Sequence, residues 1–262
     1  MGEDSTRSGT VARAIRILQV FAEADGDLSI KELSAITGLA PSTSHRLLHL
    51  LAEDDIITLD ADHKRYRIGP EFLRIASLVA GRTGLAEIAQ PFMERVAETA
   101  NETCVIVRYL RARGQITVVG ACNSANPLQY RTELFSTRSP LWGATGQSVV
   151  AFLPRAEQEA LYDSRESDSF PQTGARLPSK DVYLHQMEVF AAQGYALSRG
   201  QTIEGAVGIG APVFDKSGDT IGALCVTVPE IRFSQETEDR ILGVLLPQAQ
   251  ALSKALGHLG TR

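Results

Sequence analysis

The sequence predicts an α+β protein, with an N-terminal winged helix-turn-helix followed by a larger domain built on a mostly antiparallel sheet flanked by helices. Three observations carry that expectation. Three helix-length patterns precede two short alternating segments within the first 69 residues. Alternating apolar runs recur as neighbours further on, 104–110 with 115–122 and 207–214 with 220–228. Helical stretches lie between these pairs rather than after every strand, which favours antiparallel pairing over a doubly wound sheet.

The elements follow in order. Residues 1–9 read as a polar tail. In 11–21 (VARAIRILQVF), Val11, Ala14, Ile15, Leu18 and Phe21 recur at helical spacing. Positions 24–27 (ADGD) interrupt the pattern, and Ser29 is placed to cap a second helix with Ile30, Leu33 and Ile36 on its inner face. Gly38 ends that helix. Pro41 suits the first turn of a third, running to about Glu53. Leu47, Leu48 and Leu51 face inward there, leaving Ser42, Thr43, Ser44, Arg46 and His49 outward. Segments 56–59 and 65–68 around the turn Asp60-Ala61-Asp62-His63 read as a hairpin. Alternation puts Tyr66 and Ile68 on one face, Arg65 and Arg67 on the other, and Lys64 at the tip.

Gly69-Pro70 closes this module, and 71–80 reads as a linker helix with Phe72, Leu73, Ile75 and Leu78 apolar, ended by Gly81 and Gly84. The expected division is therefore 1–9 tail, 10–69 winged helix, 70–84 linker and 85–262 second domain. Within the last, helices are expected near 85–100, 146–152, 155–163, 180–193 and 235–256. Asp215-Lys216-Ser217-Gly218-Asp219 makes a hairpin turn.

Composition bounds the function. The chain has 262 residues, 44% hydrophobic and 22% charged, the balance of a folded globular protein. No apolar run approaches the roughly 20 residues of a membrane helix. The opening MGEDSTRSGT is polar and acidic, unlike a signal peptide, and three scattered cysteines make no disulfide framework or zinc cage. A soluble cytoplasmic protein without cofactor, metal or membrane partner is expected. The formal charge is −5, and residues 1–82 hold ten Lys/Arg against twelve Asp/Glu. Coating of nucleic acid by bulk charge is therefore not expected, and a DNA role must rest on local placement.

That placement is specific. A protruding third helix can enter the major groove, where an arginine makes two hydrogen bonds to guanine. Arg46 is the base-reading candidate, with Ser42, Thr43 and His49 beside it. Ser44 and the first amides of the helix suit phosphate, as does Arg13, and Lys64, Arg65 and Arg67 suit backbone or minor groove. The alternative is a winged helix used for protein contacts. His45 and His49 have a metal-like spacing but no third ligand.

In the second domain, 141–148 (LWGATGQS) places small residues before an apolar helix. This is either a carboxylate seat on free helix amides or close packing of helix on sheet. Gly146-Gln147-Ser148 is half a nucleophile elbow, but Val150 stands where the second glycine belongs. Gly205, Gly208 and Gly210 lack dinucleotide-loop spacing and suit close approach of a strand to a ligand or helix. Cys225 and Thr227 share a strand face that either lines a small cavity or packs in the core. Arg131 and Arg199 are candidate partners for an acid. A rival reading, an enzyme of small organic acids or esters fused to a helix-turn-helix, lacks any converging acid–base or nucleophile set.

Taken together, the chain resembles the IclR family of bacterial transcriptional regulators over about residues 11–256. The N-terminal marks are Arg13-Ala14-Ile15-Arg16-Ile17-Leu18, Thr37-Gly38-Leu39, Ser42-Thr43-Ser44-His45-Arg46-Leu47-Leu48 and Arg65-Tyr66-Arg67-Ile68-Gly69. The C-terminal marks include Pro140-Leu141, Ala151-Phe152-Leu153-Pro154, Gln193-Gly194-Tyr195, Ala211-Pro212-Val213-Phe214-Asp215 and Gly222-Ala223-Leu224. The resemblance implies a GAF-like effector domain after the linker, assembly as homodimer or homotetramer, a pseudo-palindromic double-stranded operator and a small organic effector. It implies control of a catabolic operon, with repression favoured over activation. Effector positions would fall on Trp142, Gly143, Ala144, Thr145, Ser198, Ala206, Gly208, Cys225 and Thr227. The chain departs from the family pattern by reading Trp142-Gly143 after Pro140-Leu141, Gln147 after Gly146, and Ser198 where some members are acidic.

Overall fold

The computed structural model describes residues 9–24, 26–80, 84–130, 132–165 and 167–258. They form two compact units that divide between residues 82 and 83. The first contains α1 (Thr10–Glu23), α2 (Ile30–Thr37), α3 (Pro41–Glu53), the hairpin β1 (Ile57–Asp60) and β2 (Arg65–Ile68), and α4 (Pro70–Ala80). Ser29 starts α2 with a reciprocal cap, accepting from the Glu32 amide at 3.3 Å while its own amide donates to the Glu32 carboxylate at 2.7 Å. Gly38, at φ +70°, ends α2 in the left-handed region that glycine reaches without strain. Leu28 pairs with Tyr66 through two backbone hydrogen bonds, tying the α1–α2 connection to the wing.

The core of this unit is Ile17, Phe21, Leu33, Leu47, Leu48, Ile57 and Tyr66. Two inner faces differ from the periodicity. Ile17 is fully buried, whereas Val11 and Ile15 are exposed. Because α1 is apolar on opposite sides, spacing alone could not choose between them. On α2, Ile36 is 56% exposed, and Thr37 occupies the inner position one turn after Leu33. Its hydroxyl donates to the Leu33 carbonyl at 2.7 Å, so the polar group is satisfied within the helix. Leu73, Ile75 and Leu78 of α4 are exposed in the chain.

The second unit runs α5 (Leu85–Ala100), β3 (Thr103–Leu110), β4 (Gln115–Cys122), β5 (Thr137–Arg138), α6 (Gly143–Val150), α7 (Arg155–Asp163) and α8 (Lys180–Gln193). It continues with β6 (Ala196–Arg199), β7 (Ala206–Phe214), β8 (Thr220–Pro229) and α9 (Gln235–Ala255). Its described strands form one antiparallel sheet in the order β5-β4-β3-β8-β7-β6. Alternation divides the sheet between two cores. Ile106, Ile209, Leu224 and Val226 pack with Met93 of α5 and Ile241 and Leu245 of α9. Val105, Val107 and Cys225 face the other way, onto Val149 of α6. Trp142 shares a further cluster with Tyr183 and Met187 of α8. The buried Glu102 carboxylate takes both Nε (2.9 Å) and Nη2 (2.8 Å) of Arg232, closing the sheet beside the start of β3. Edge strands β5 and β6 escape the sequence pattern because two and four residues give too little alternation to detect. Among the described residues, no helix is long and apolar enough to cross a membrane.

Candidate functional site

In the first unit, Ser42, Arg46 and His49 are exposed on α3, with Thr43 half-buried beside them. The helix starts at Pro41 without a side-chain cap, so its first amides remain open to an anion. Ser44 does not share this face. It is completely buried, and Ser34 donates to its hydroxyl at 3.0 Å, because position 44 lies one turn before the buried Leu47 and Leu48. It is a helix–helix contact between α2 and α3 and is removed from the DNA-facing set. Arg65 is also corrected. Its Nε donates to the Asp27 carbonyl at 2.9 Å and its Nη2 lies 3.1 Å from Glu32, which locks the wing to the start of α2. Lys64, at φ +52° in the hairpin turn, and Arg67 remain exposed, and Arg13 is half-buried on α1. Among the described residues Arg46, Lys64 and Arg67 make no ion pair. His49 sits 3.6 Å from Glu53 one turn along α3. No cluster of three or more metal-ligating side chains is present among the described residues.

In the second unit, α6 comes unusually close to the sheet, and glycines permit it. A Cβ at Gly210 would lie 2.6 Å from Ser148 Oγ and 2.7 Å from the Ala144 carbonyl, and one at Gly208 would lie 3.1 Å from Ala144 Cβ. The Ser148 hydroxyl is buried and donates to the Ala144 carbonyl at 2.6 Å, so it belongs to the helix rather than to a nucleophile. At the mouth of this contact is a cavity of about 130 Å³, with Ala144, Thr145, Ser198, Ala206, Gly208, Cys225 and Thr227 in its wall. Arg138, Gln201, Thr202 and Glu133 also line it.

Trp142 and Gly143 are outside that wall. Trp142 packs against Phe170, ring centres 5.6 Å apart, and borders a separate cleft. Gly143, at φ +68°, turns the chain into α6, and its amide donates to Gln201 Oε1 at 2.9 Å. The next amide, of Ala144, donates to Ser198 Oγ at 2.8 Å. The first two amides of α6 are thus already taken by side chains from β6 and the segment after it, which favours the close-packing reading over the carboxylate seat at these two positions.

Positive charge reaches the cavity from elsewhere. Arg138 Nη2 donates to Thr145 Oγ1 at 3.3 Å, and no carboxylate pairs with this guanidinium among the described residues. Burial holds its pKa below the usual arginine value, with the nearby Cys225 acting in the opposite sense. An arginine keeps its proton even so, so the charge stays available to a ligand. The Cys225 thiol is pushed up to about 12 by burial, offset in part by Ser148 and Arg138, and presents a neutral wall. Arg199 is not in this wall, since it faces Glu230 at 3.9 Å and stacks on Phe233 at 4.6 Å. Arg131 lies outside the described residues. Arg138 escaped the sequence reading because a two-residue strand has no periodicity to aim it; the only local sign is its place just before Ser139-Pro140.

Comparison with known proteins agrees with both halves. Residues 77–254 match the family model of the bacterial transcriptional regulator IclR C-terminal domain, and residues 10–61 match the IclR helix-turn-helix domain. The chain belongs to the IclR family. It is 26% identical to the HTH-type transcriptional regulator KipR of Bacillus subtilis, over 96% of this chain and 98% of that protein. It is 25% identical to the HTH-type transcriptional repressor AllR of Salmonella typhimurium, over 97% of this chain and 93% of that one. An IclR homolog from Microbacterium hydrocarbonoxydans, solved in complex with 4-hydroxybenzoate, shares the fold with a TM-score of 0.76 at 18% identity, covering 95% and 99% of the two chains. As an IclR-family protein the chain is a transcriptional regulator with a DNA-binding helix-turn-helix and an effector-binding domain, not an enzyme.

Proposed function

We propose that this regulator represses a catabolic operon in the cytoplasm and is controlled by a short-chain carboxylate bound at Arg138. Residues 10–69 act as the DNA-binding domain, 70–84 as linker and 85–262 as effector domain. The observation that carries the effector class is the Arg138 guanidinium, unpaired among the described residues, beside the Thr145 hydroxyl in a small cavity. A cavity of roughly 150 Å³ holds benzene, and about 130 Å³ is close to that size, so it suits a compact acid. Its relative AllR of Salmonella typhimurium is a transcriptional repressor, which supports repression here. A homodimer, or a homotetramer of dimers, places two α3 helices on a pseudo-palindromic operator, with Arg46 reading bases and Ser42, Thr43, His49, Lys64, Arg67 and Arg13 around it. The effector works only if it favours one arrangement of the domains over the other.

The test is fluorescence anisotropy of the full-length protein on DNA from upstream of its own gene against a scrambled duplex, at several salt concentrations. Tight binding to the native duplex, weakening with salt, is expected. Arg46→Ala should lower that preference by about tenfold or more, the value of one bidentate base contact. Preference unchanged by Arg46→Ala overturns the DNA-reading assignment. Thr145→Trp should leave operator binding intact and abolish its response to short carboxylates. A retained response overturns the cavity assignment.

A further inference from the structure

Three of the chain's five histidines lie in the first unit, all of them exposed. His45 and His49 stand one turn apart on α3, and with Ser42 and Arg46 they fall within an arc of about 100° around the helix. His63 is in the turn of the wing, next to Lys64. Two of the rings face a carboxylate of their own element. His49 Nε2 lies 3.6 Å from Glu53, and His63 Nδ1 lies 2.9 Å from Asp60. No other ion pair reaches the three rings among the described residues. The carboxylates of the neighbouring helices are engaged elsewhere, Glu32 of α2 with Ser29 and Arg65, and Glu71 of α4 with Arg74. The fixed cations on the same surfaces are Arg46 on α3 and Lys64 and Arg67 on the wing, while α1 and α2 contribute Arg13, Arg16 and Lys31.

We propose that the proton is a co-ligand of operator binding: His45, His49 and His63 take up charge on the surfaces that meet DNA, so the operator is held more tightly as pH falls. This rests on the DNA-binding reading of the first unit. An imidazole ordinarily gains its charge near pH 6.5, inside the physiological range. A phosphate set against an imidazolium favours the charged form, so association with DNA draws protons onto the protein. The gain in affinity is complete below the pKa of the free chain and is lost as pH rises through that of the complex. Permanent positive charge is scarce here, which makes each proton count. Residues 1–82 hold two more acids than bases, and three added protons turn that balance from −2 to +1. Two of the protons also cancel carboxylates. Beside a neutral ring, Glu53 and Asp60 present negative charge toward the phosphates; beside an imidazolium, each becomes half of a neutral pair.

The experiment is anisotropy of the full-length protein on the upstream duplex and its scrambled control, from about pH 8 to pH 6 at fixed ionic strength. Circular dichroism at both ends of the range checks that the fold is kept. Affinity for the upstream duplex should rise about tenfold or more across that range. Replacing the three rings together (His45→Gln, His49→Gln and His63→Gln) should cut the rise to within about twofold. Each single replacement should remove part of it. His185→Gln is the control, exposed beside Glu188 on α8 of the second unit, and should keep the full rise. Calorimetry of the same association in two buffers of different ionisation heat should count about one proton or more taken up per chain near pH 7. The triple variant should take up none. Affinity for the upstream duplex that ignores pH, or a rise that survives in the triple variant, overturns the proposal and leaves the DNA-binding reading standing. Equal binding to the upstream and scrambled duplexes at every pH overturns the DNA-binding reading, and this proposal with it.

Discussion

Single residues divide sharply between packing and recognition in this chain. Ser42 and Ser44 sit two positions apart, yet 100° per residue turns one outward and the other into the α2–α3 contact. Ser44→Ala is expected to lower stability by about 1 kcal/mol through loss of the Ser34 hydrogen bond, with operator preference unchanged by anisotropy. The glycines divide in the same way. Gly210→Ala forces a methyl against Ser148 Oγ and the Ala144 carbonyl, and should cost about 1–3 kcal/mol and distort the cavity. Gly243 lies exposed inside α9 with open space around its Cβ position, so Gly243→Ala should stabilise by about 0.5–1 kcal/mol. Chemical denaturation of the two variants reads both signs, and a destabilised Gly243→Ala contradicts the packing account.

At the scale of elements, the capping box of α2 does more than start a helix. Glu32 accepts from the Ser29 amide and hydroxyl and also faces Arg65 on the wing, so one carboxylate joins a helix start to the hairpin. The Ser29 hydrogen bonds, backbone first, and then Arg65 hold its pKa below the ordinary 4.5. A depressed carboxylate stabilises the fold above its unfolded value, and that contribution is lost as pH falls through the folded value. The first unit should therefore loosen as pH drops below about 4.5. Glu32→Gln should flatten that acid arm of its unfolding curve, followed by circular dichroism; an unchanged arm places the acid sensitivity elsewhere. Several elements of eight or more residues were legible in advance, and α5, α7, α8 and β4 match their expected limits. The start of α6 was not, because Gly143 at positive φ begins the helix three residues before the apolar pattern does.

For the whole molecule, the proposed homodimer makes a geometric demand on DNA. Two recognition helices reach the same face of a duplex only when half-site centres are separated by about one helical turn, 10–10.5 base pairs, or a multiple of it. Inserting five base pairs between half-sites should abolish tight binding in the anisotropy assay, while inserting ten changes it far less; indifference to the half-turn insertion argues for monomers reading single sites. The winged helix and the antiparallel α+β second domain were legible in the residues alone, because periodicity, caps and turn residues are local and repeat along the chain, and the family was legible through the resemblance of its motifs. The resemblance also placed seven residues in the wall of one cavity, from Ala144 to Thr227. How charge and free donors are distributed emerges from the packed chain alone. The first two amides of α6 are taken by Gln201 and Ser198 from more than fifty residues away, Arg65 is drawn to the Asp27 carbonyl, and Arg138 is left to face the cavity. A hydrogen-bond partner distant in sequence leaves no periodic trace, and the charge left unpaired is known only once every other pairing has been made.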